Sequence, residues 1–337
     1  MTGCERLRAV FAHQPVQSMP TLPILHAGLA PLMGVHLSDF FNSAETMANV
    51  IVGGQRRFGY DGVQLSMGVT GEAEALGAHV IQPENGLPSI HEFPLALGFH
   101  LDALRERDPR SGGRMPIHFD AVSRTVKQLN GEAFTLLTLR GPMLLATQLR
   151  GPEQFLMDML IEPDQAAELL AFATEVVVSL AKHFLATGAD GVVLGEAPCS
   201  PGFIAPYMYR ETIAPLHARV VHELKQAGWG VVGLHICGNI APIINDLAAT
   251  GADFLDVDYQ TPLDSALRVA DRVVVRGNLD PGRVFRLGSF DTVRHEVLEL
   301  TRAVAGHRWI LSSGCDISPG TPAETIAAFV SAAQSGS

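Results

Sequence analysis

Short apolar runs of strand length alternate with amphipathic stretches of helix length along almost the entire chain of 337 residues. A parallel strand can follow another only through a crossover connection, usually a helix, so the alternation predicts parallel strands. Runs rich in Val, Ile and Leu are typical of strands buried on both faces. Eight units of this kind predict one closed (β/α)8 barrel, the TIM barrel, rather than an open sheet. The predicted strands are 19–26, 62–67, 134–139, 191–194, 230–234, 253–257, 273–276 and 309–312.

The segments between these strands complete a single predicted domain spanning 1–337. An opening helix over 5–13 forms an N-terminal helical extension, and Ser43 is the predicted cap of a helix that ends near Phe58. Gly and Pro residues interrupt 71–114, which predicts an excursion after strand two with a short hairpin near 77–90. The remaining predicted helices are 117–130, 142–151, 163–187, 207–227, 241–249, 262–269, 292–304 and 323–333. The chain carries neither a dinucleotide-binding glycine fingerprint nor a P-loop, which further disfavours an open sheet.

Composition narrows the classes of function. A formal charge of −11 without a basic face argues against nucleic-acid binding. The apolar runs fall short of the roughly 18 residues that span a bilayer, and charged residues near the start argue against a signal peptide. We therefore expect a cytoplasmic protein outside the membrane. A homodimer is a candidate assembly, and the sequence leaves the oligomeric state open. In a reducing compartment the four cysteines are better candidates for metal binding or catalysis than for disulfides.

Reactive side chains cluster at the predicted strand ends, where the active sites of such barrels lie. His235 and Cys237 are two residues apart on one strand, so both can project into the barrel mouth. Imidazole and thiolate are zinc ligands, and Cys315 on the last strand can supply a third, leaving one position open for catalysis. A satisfied core pair is the alternative for His235 and Cys237. Further candidates at the strand ends are the acids Glu196 and Asp258, and His26, Ser66 and Met67 as lining of a substrate pocket.

The roles of the two acids stay open at this point. Either Glu196 or Asp258 can complete the metal site in the absence of substrate, or position a substrate proton. Asp258 can instead cap a helix or pair with a barrel arginine such as Arg276.

Six segments, in order along the chain, resemble the uroporphyrinogen decarboxylase superfamily: 5–7, 72–77, 141–146, 189–191, 277–281 and 314–316. The decarboxylases of this superfamily bind the carboxylates of a porphyrinogen through an Arg-rich segment after strand one. Here the corresponding segment, 26–32, contains no arginine, and Ser66 follows strand two where the decarboxylases carry an Asp. A substrate with eight carboxylates needs cationic partners, so these departures weigh against porphyrinogen decarboxylation.

The zinc-dependent corrinoid methyltransferases, which include the methylcobalamin:coenzyme M methyltransferases, form the branch that the chain resembles better. Their zinc motif is His-x-Cys on one strand with a late Cys, and His235, Cys237 and Cys315 match it residue by residue. The more distant cobalamin-independent methionine synthases are similar, and Asp258 falls near their acidic position.

The resemblance implies a function for these residues. Zinc would activate a small thiol as nucleophile toward methylcobalamin held on a partner corrinoid protein. Three alternatives stay open. They are the reverse half-reaction, which moves methyl from a small methylated substrate onto a corrinoid; decarboxylation of a less acidic substrate; and a non-catalytic zinc-binding barrel.

Overall fold

A computed structural model describes residues 1–335 and contains the predicted barrel architecture. Within these residues, seven parallel strands form one curled sheet in the order β1-β4-β5-β6-β7-β8-β9. The strands are β1 Gly62–Leu65, β4 Phe134–Arg140, β5 Gly191–Gly195, β6 Val231–Ile236, β7 Phe254–Val257, β8 Val274–Leu279 and β9 Trp309–Ser313. The remaining strands, β2 His79–Ile81 and β3 Ser89–Glu92, form the antiparallel hairpin predicted within the excursion.

The predicted first strand, 19–26, is where the structure departs from the sequence-based fold. Only Thr21 forms a bridge to β9, through Leu311, although the segment occupies the seam between β1 and β9. Pro20 and Pro23 lie in this segment, and a proline has no N–H to donate to a strand ladder. The buried carboxylate of Asp61 holds the seam from the β1 side, accepting from the Thr21 N–H at 2.8 Å and the Thr21 hydroxyl at 3.0 Å.

Alternation along the strands divides the barrel into two cores. Outward-facing Leu and Val side chains such as Leu137, Val232 and Leu255 join the larger core beneath the helices. Inward-facing apolar side chains fill the N-terminal end of the barrel, among them Phe134, Val231 and Phe254. The first helix closes that end, and its Phe11 ring packs 5.4 Å from Phe134 and 5.6 Å from Phe254.

The helices follow the predicted alternation, with shifts of a few residues at their ends. The first begins after Thr2, whose side chain and Glu5 form a capping box, and Ser43 caps the fourth as predicted. The prediction omitted a helix directly after Gly151, two short ones before Ser43 and two short ones within the excursion. The α-helices are Gly3–Phe11, Leu29–Leu32, Leu37–Asn42, Ala44–Phe58, Gly71–Ala75, Leu101–Arg105, Met115–Leu129, Pro142–Arg150, Pro152–Ile161, Pro163–Phe184, Pro206–Met208, Ala214–Ala227, Ile244–Ala248, Leu263–Leu267, Phe290–Ala303 and Ala323–Ser335.

One helical stretch, Pro163–Thr187, is long and apolar enough by length and composition to cross a membrane. Its most apolar window is 61% buried, and residues along it, including Leu169, Ala173 and Val177, belong to the larger core. The hydropathy of this stretch is thus accounted for by packing within the barrel.

Candidate metal centre and cavity

Two strand ends bring one imidazole nitrogen and two sulfur atoms together at the C-terminal mouth of the barrel. His235 lies on β6, Cys237 follows that strand, and Cys315 follows β9. The Nε2 atom of His235 lies 3.1 Å from the Cys237 Sγ and 4.0 Å from the Cys315 Sγ, and the two sulfurs are 3.2 Å apart.

This donor set fits a zinc ion. Zn–N and Zn–S bonds of about 2.0–2.3 Å in tetrahedral geometry put ligand atoms roughly 3.3–3.8 Å apart. The three distances bracket that range, so small side-chain rotations suffice to bind a metal. Hydrogen bonds from Cys237 and His235 lower the pKa of the Cys315 thiol.

A buried ionic chain behind His235 fixes its ring. His235, Asp256 and Arg276 are paired in register across three adjacent strands. Asp256 accepts from Nδ1 of His235 at 2.9 Å and from Arg276 at 2.5 and 2.6 Å, and Arg276 reaches across the barrel to Gln64 at 2.9 Å. Since the carboxylate holds Nδ1, the ring presents Nε2 to the cysteines, as metal-binding histidines usually do.

A cavity of about 160 Å³ opens beside the cysteines. Its walls include Phe41, Leu87 and Leu144, and its polar lining includes His26, Ser66, Glu196 and Arg140. Burial lowers the pKa of His26 to about 3, so its ring is neutral at pH 7. The Ala27 N–H donates to Nδ1 of His26 at 2.8 Å, which leaves Nε2 as the protonated nitrogen, 3.5 Å from a carboxyl oxygen of Asp316. Burial raises the pKa of Asp316 to about 8.

The sequence-predicted acids occupy different environments. Glu196 lines the cavity but is fully buried, and its carboxylate accepts from the backbone N–H groups of Met143 and Leu144 at 3.0 and 2.7 Å. His217 contacts the same carboxylate at 3.0 Å. The Asp258 backbone packs against Gly314, and the Asp258 side chain accepts a hydrogen bond from the Gln260 N–H at 2.9 Å. Burial raises the pKa of this carboxyl.

The two predicted pocket residues after strand two, Ser66 and Met67, lie in different environments. Ser66 lines the cavity and accepts a hydrogen bond from the Arg140 guanidinium at 2.8 Å. Met67 is 2% exposed and packs in the larger hydrophobic core.

Sequence reasoning assigned no role to Asp256, which contacts His235, or to Arg140, which lines the cavity. Both are charged residues inside strands that are otherwise apolar, and both have the strand parity of a residue that faces the barrel interior. A charged residue at an inward-facing position of an apolar strand is the sequence signal that indicates both residues.

Comparison with known proteins gives consistent results. The family model for uroporphyrinogen decarboxylase (URO-D) matches residues 2–336. The methylcobamide:CoM methyltransferase MtaA of Methanosarcina barkeri is 25% identical over 333 residues, covering 97% of this chain and 96% of that protein. The uroporphyrinogen decarboxylase of Parasynechococcus marenigrum is 26% identical over 276 residues, covering 80% and 76%.

Solved structures show the same fold. A methyltransferase from Methanosarcina mazei superposes with a TM-score of 0.91 at 24% identity, covering 99% of each chain. A B12-independent methionine synthase from Shewanella sp. W3-18-1 superposes with a TM-score of 0.59 at 11% identity, covering 95% of this chain and 96% of that one. Both likenesses support the barrel architecture.

Proposed function

The chain belongs to the uroporphyrinogen decarboxylase family, and we propose that it is a zinc-dependent methyltransferase that moves a methyl group between a corrinoid and a small thiol or methylated substrate. The observation that carries this proposal is the convergence of His235, Cys237 and Cys315 at the mouth of the cavity. The similarity to proteins named methylcobamide:CoM methyltransferases supports the corrinoid as the methyl carrier, bound to a partner protein.

His235, Cys237 and Cys315 would hold the zinc ion. Bound there, zinc would lower the pKa of a substrate thiol and so provide a nucleophile at neutral pH. Asp256 keeps the His235 ring oriented through the 2.9 Å contact to Nδ1. The apolar cavity wall would keep water away from the substrate sulfur. The small volume would align a small substrate with Cys237 and Cys315 at the barrel mouth.

The other site residues predicted from the sequence have proposed roles in substrate binding or proton transfer. Asp258, whose backbone packs against Gly314 next to Cys315, is proposed to complete the metal site in the absence of substrate or to position a substrate proton. His26 and Ser66 line the cavity and are proposed substrate contacts, whereas the core position of Met67 gives such a contact no support. Glu196 lines the same cavity and is proposed to act in the reaction. Its carboxylate also accepts hydrogen bonds from the N-terminus of the helix Pro142–Arg150.

The direct test is to follow methylcobalamin absorbance with zinc-loaded protein and a panel of small thiols. We expect thiol-dependent demethylation that a chelator abolishes and zinc restores. Cys315→Ala should lose both bound zinc and activity, while Cys4→Ala, at a buried cysteine in the core at the N-terminal end of the barrel, should keep both. Zinc binding without methyl transfer would favour a non-catalytic barrel, and decarboxylation that survives metal removal would overturn the proposal.

A further inference from the structure

The two sulfur atoms of the candidate metal centre are close enough to react with each other. Cys237 follows β6 and Cys315 follows β9, and two strands separate β6 from β9 in the sheet. The two Sγ atoms nevertheless lie 3.2 Å apart across the barrel mouth. A disulfide bond is about 2.05 Å long, so side-chain movement of roughly 1 Å joins the two sulfurs.

These two cysteines are also the ones that a small oxidant can reach. Cys237 and Cys315 are partly exposed and line the cavity of about 160 Å³. That volume is about ten times the roughly 10–15 Å³ that one water molecule needs, and hydrogen peroxide is only one oxygen atom larger than water. The other two cysteines, Cys4 and Cys199, are 2% and 0% exposed.

We infer that Cys237 and Cys315 form a redox switch, in which an oxidant of the peroxide class joins them in a disulfide and thereby releases the metal. The release of zinc rests on the proposed function, but formation of the disulfide requires no methyl transfer. Zinc binds cysteine as the thiolate, so a disulfide leaves His235 as the only one of the three proposed ligands. In a reducing compartment the oxidised state is transient, as redox-sensing disulfides there usually are.

The oxidation balances with one peroxide for each pair of thiolates. One thiolate attacks a peroxide oxygen and the O–O bond breaks, which gives a sulfenic acid and a hydroxide that takes up a proton. The second thiolate attacks the sulfenic sulfur, so the S–S bond forms, the S–O bond breaks and a second hydroxide takes up a proton. The two sulfurs lose two electrons in total, and hydrogen peroxide is reduced to two water molecules.

The short distance between the sulfurs determines which product forms. A sulfenic acid either condenses with a thiol or is oxidised further to a sulfinic acid, which is not reversed by thiols. The second sulfur is held at 3.2 Å, so its attack is intramolecular and precedes the encounter with another peroxide molecule. A dithiol such as dithiothreitol then restores both cysteines by thiol–disulfide exchange, becoming a cyclic disulfide itself.

Titration of the zinc-loaded full chain with hydrogen peroxide tests the switch. A chromophoric chelator should report release of zinc at least tenfold faster than without peroxide. Mass spectrometry should show one disulfide that links the peptides of Cys237 and Cys315. Dithiothreitol followed by zinc should restore the bound metal. Cys4→Ala, at a cysteine buried in the core at the N-terminal end of the barrel, should behave like the unchanged chain.

A second variant tests the role of the neighbouring sulfur apart from zinc. In Cys237→Ser, the sulfur that traps the sulfenic acid is missing, so peroxide should convert Cys315 to a sulfinic acid that dithiothreitol does not reverse. The zinc-free unchanged chain, treated alongside, should form the reversible disulfide. Sulfinic acid as the main product in both chains would overturn the assignment of a switch.

The dose of oxidant needs an internal standard, which Met157 provides because it is 50% exposed. Retention of zinc and of both thiols at a dose that converts Met157 to its sulfoxide would overturn the inference, as would a disulfide that involves Cys4 or Cys199. Absence of methyl transfer with every thiol would defeat the proposed function, while peroxide-driven zinc release with the Cys237–Cys315 disulfide would still support the switch.

Discussion

At the residue scale, the proposed zinc site relies on Asp256, which contacts His235 and is not one of the three proposed ligands. Asp256 is 2% exposed and is held between His235 and Arg276 by contacts of 2.5–2.9 Å. Burial opposes ionisation of Asp256, but the Arg276 guanidinium and His235 outweigh it and lower the pKa of this carboxyl. The carboxylate therefore remains ionised and fixes the imidazole tautomer.

Asp256→Asn should lower zinc affinity by about 10–100-fold, because loss of such a partner loosens the histidine ligand. Competition with a chromophoric chelator measures the change, with Asp271→Asn, at a side chain 81% exposed, as the matched control. Circular dichroism of both variants establishes that the barrel is intact. Unchanged zinc affinity in folded Asp256→Asn would show that the ring is oriented by packing alone.

Part of this site could be predicted from the sequence. Strand alternation places His235 and Cys237 on one face, and the barrel hypothesis places Cys315 at the same mouth. The contact between His235 and Asp256 could not be predicted in the same way, since it depends on the register between β6 and β7. The hydrogen bond from Arg140 to Ser66 likewise depends on the register between β1 and β4.

At the element scale, Glu196 ties the loop after β5 to the start of the helix Pro142–Arg150. Its two oxygens accept from the N–H groups of Met143 and Leu144, which the helix itself leaves unsatisfied. A carboxylate at this position also interacts favourably with the helix dipole. Gly141 is required beside it, because a Cβ there would lie 2.4 Å from the Glu196 carboxyl carbon.

Glu196→Gln should destabilise the fold by about 2–3 kcal/mol, since the amide nitrogen would face a backbone donor. Thermal or urea unfolding measures this, with Glu92→Gln, at a side chain 73% exposed, as the control. A variant of normal stability that loses methyl transfer would instead assign Glu196 to the chemistry, as its position at a strand end suggested.

Prediction was most successful for the long elements and least for the first strand. The helix Ala44–Phe58 has a capping Ser43 and an amphipathic period that are visible in the sequence. The apolar composition of 19–26 is equally clear, but two prolines remove the donors that a strand needs. Hydrogen bonds from Thr21 to the Asp61 side chain supplement the few backbone bonds of this segment, and composition does not reveal them.

At the scale of the whole molecule, the Asp61 side chain supplements the backbone hydrogen bonds that close the barrel at this seam. Asp61 binds Thr21 through two hydrogen bonds and also contacts the Arg6 guanidinium, so it joins the seam to the first helix. Asp61→Asn should cost about 2–3 kcal/mol, the scale for hydrogen bonds to a charged group. Chemical denaturation measures the loss, with Asp271→Asn as the control. A loss below 0.5 kcal/mol, the level of neutral surface changes, would contradict a stabilising role for the Asp61 hydrogen bonds.

The same unfolding curve tests the predicted single domain. A single cooperative transition would support it.

The central claim is that His235, Cys237 and Cys315 bind one zinc ion that receives a substrate thiol. Zinc K-edge X-ray absorption of the loaded protein, before and after addition of 3-mercaptopropionate, tests it most directly. We predict about two sulfur neighbours near 2.3 Å and at least one nitrogen near 2.0 Å in the resting protein, rising to about three sulfurs with the thiol. A sulfur count that stays at two on addition of a turnover-competent thiol, or a metal without sulfur neighbours, would contradict the account.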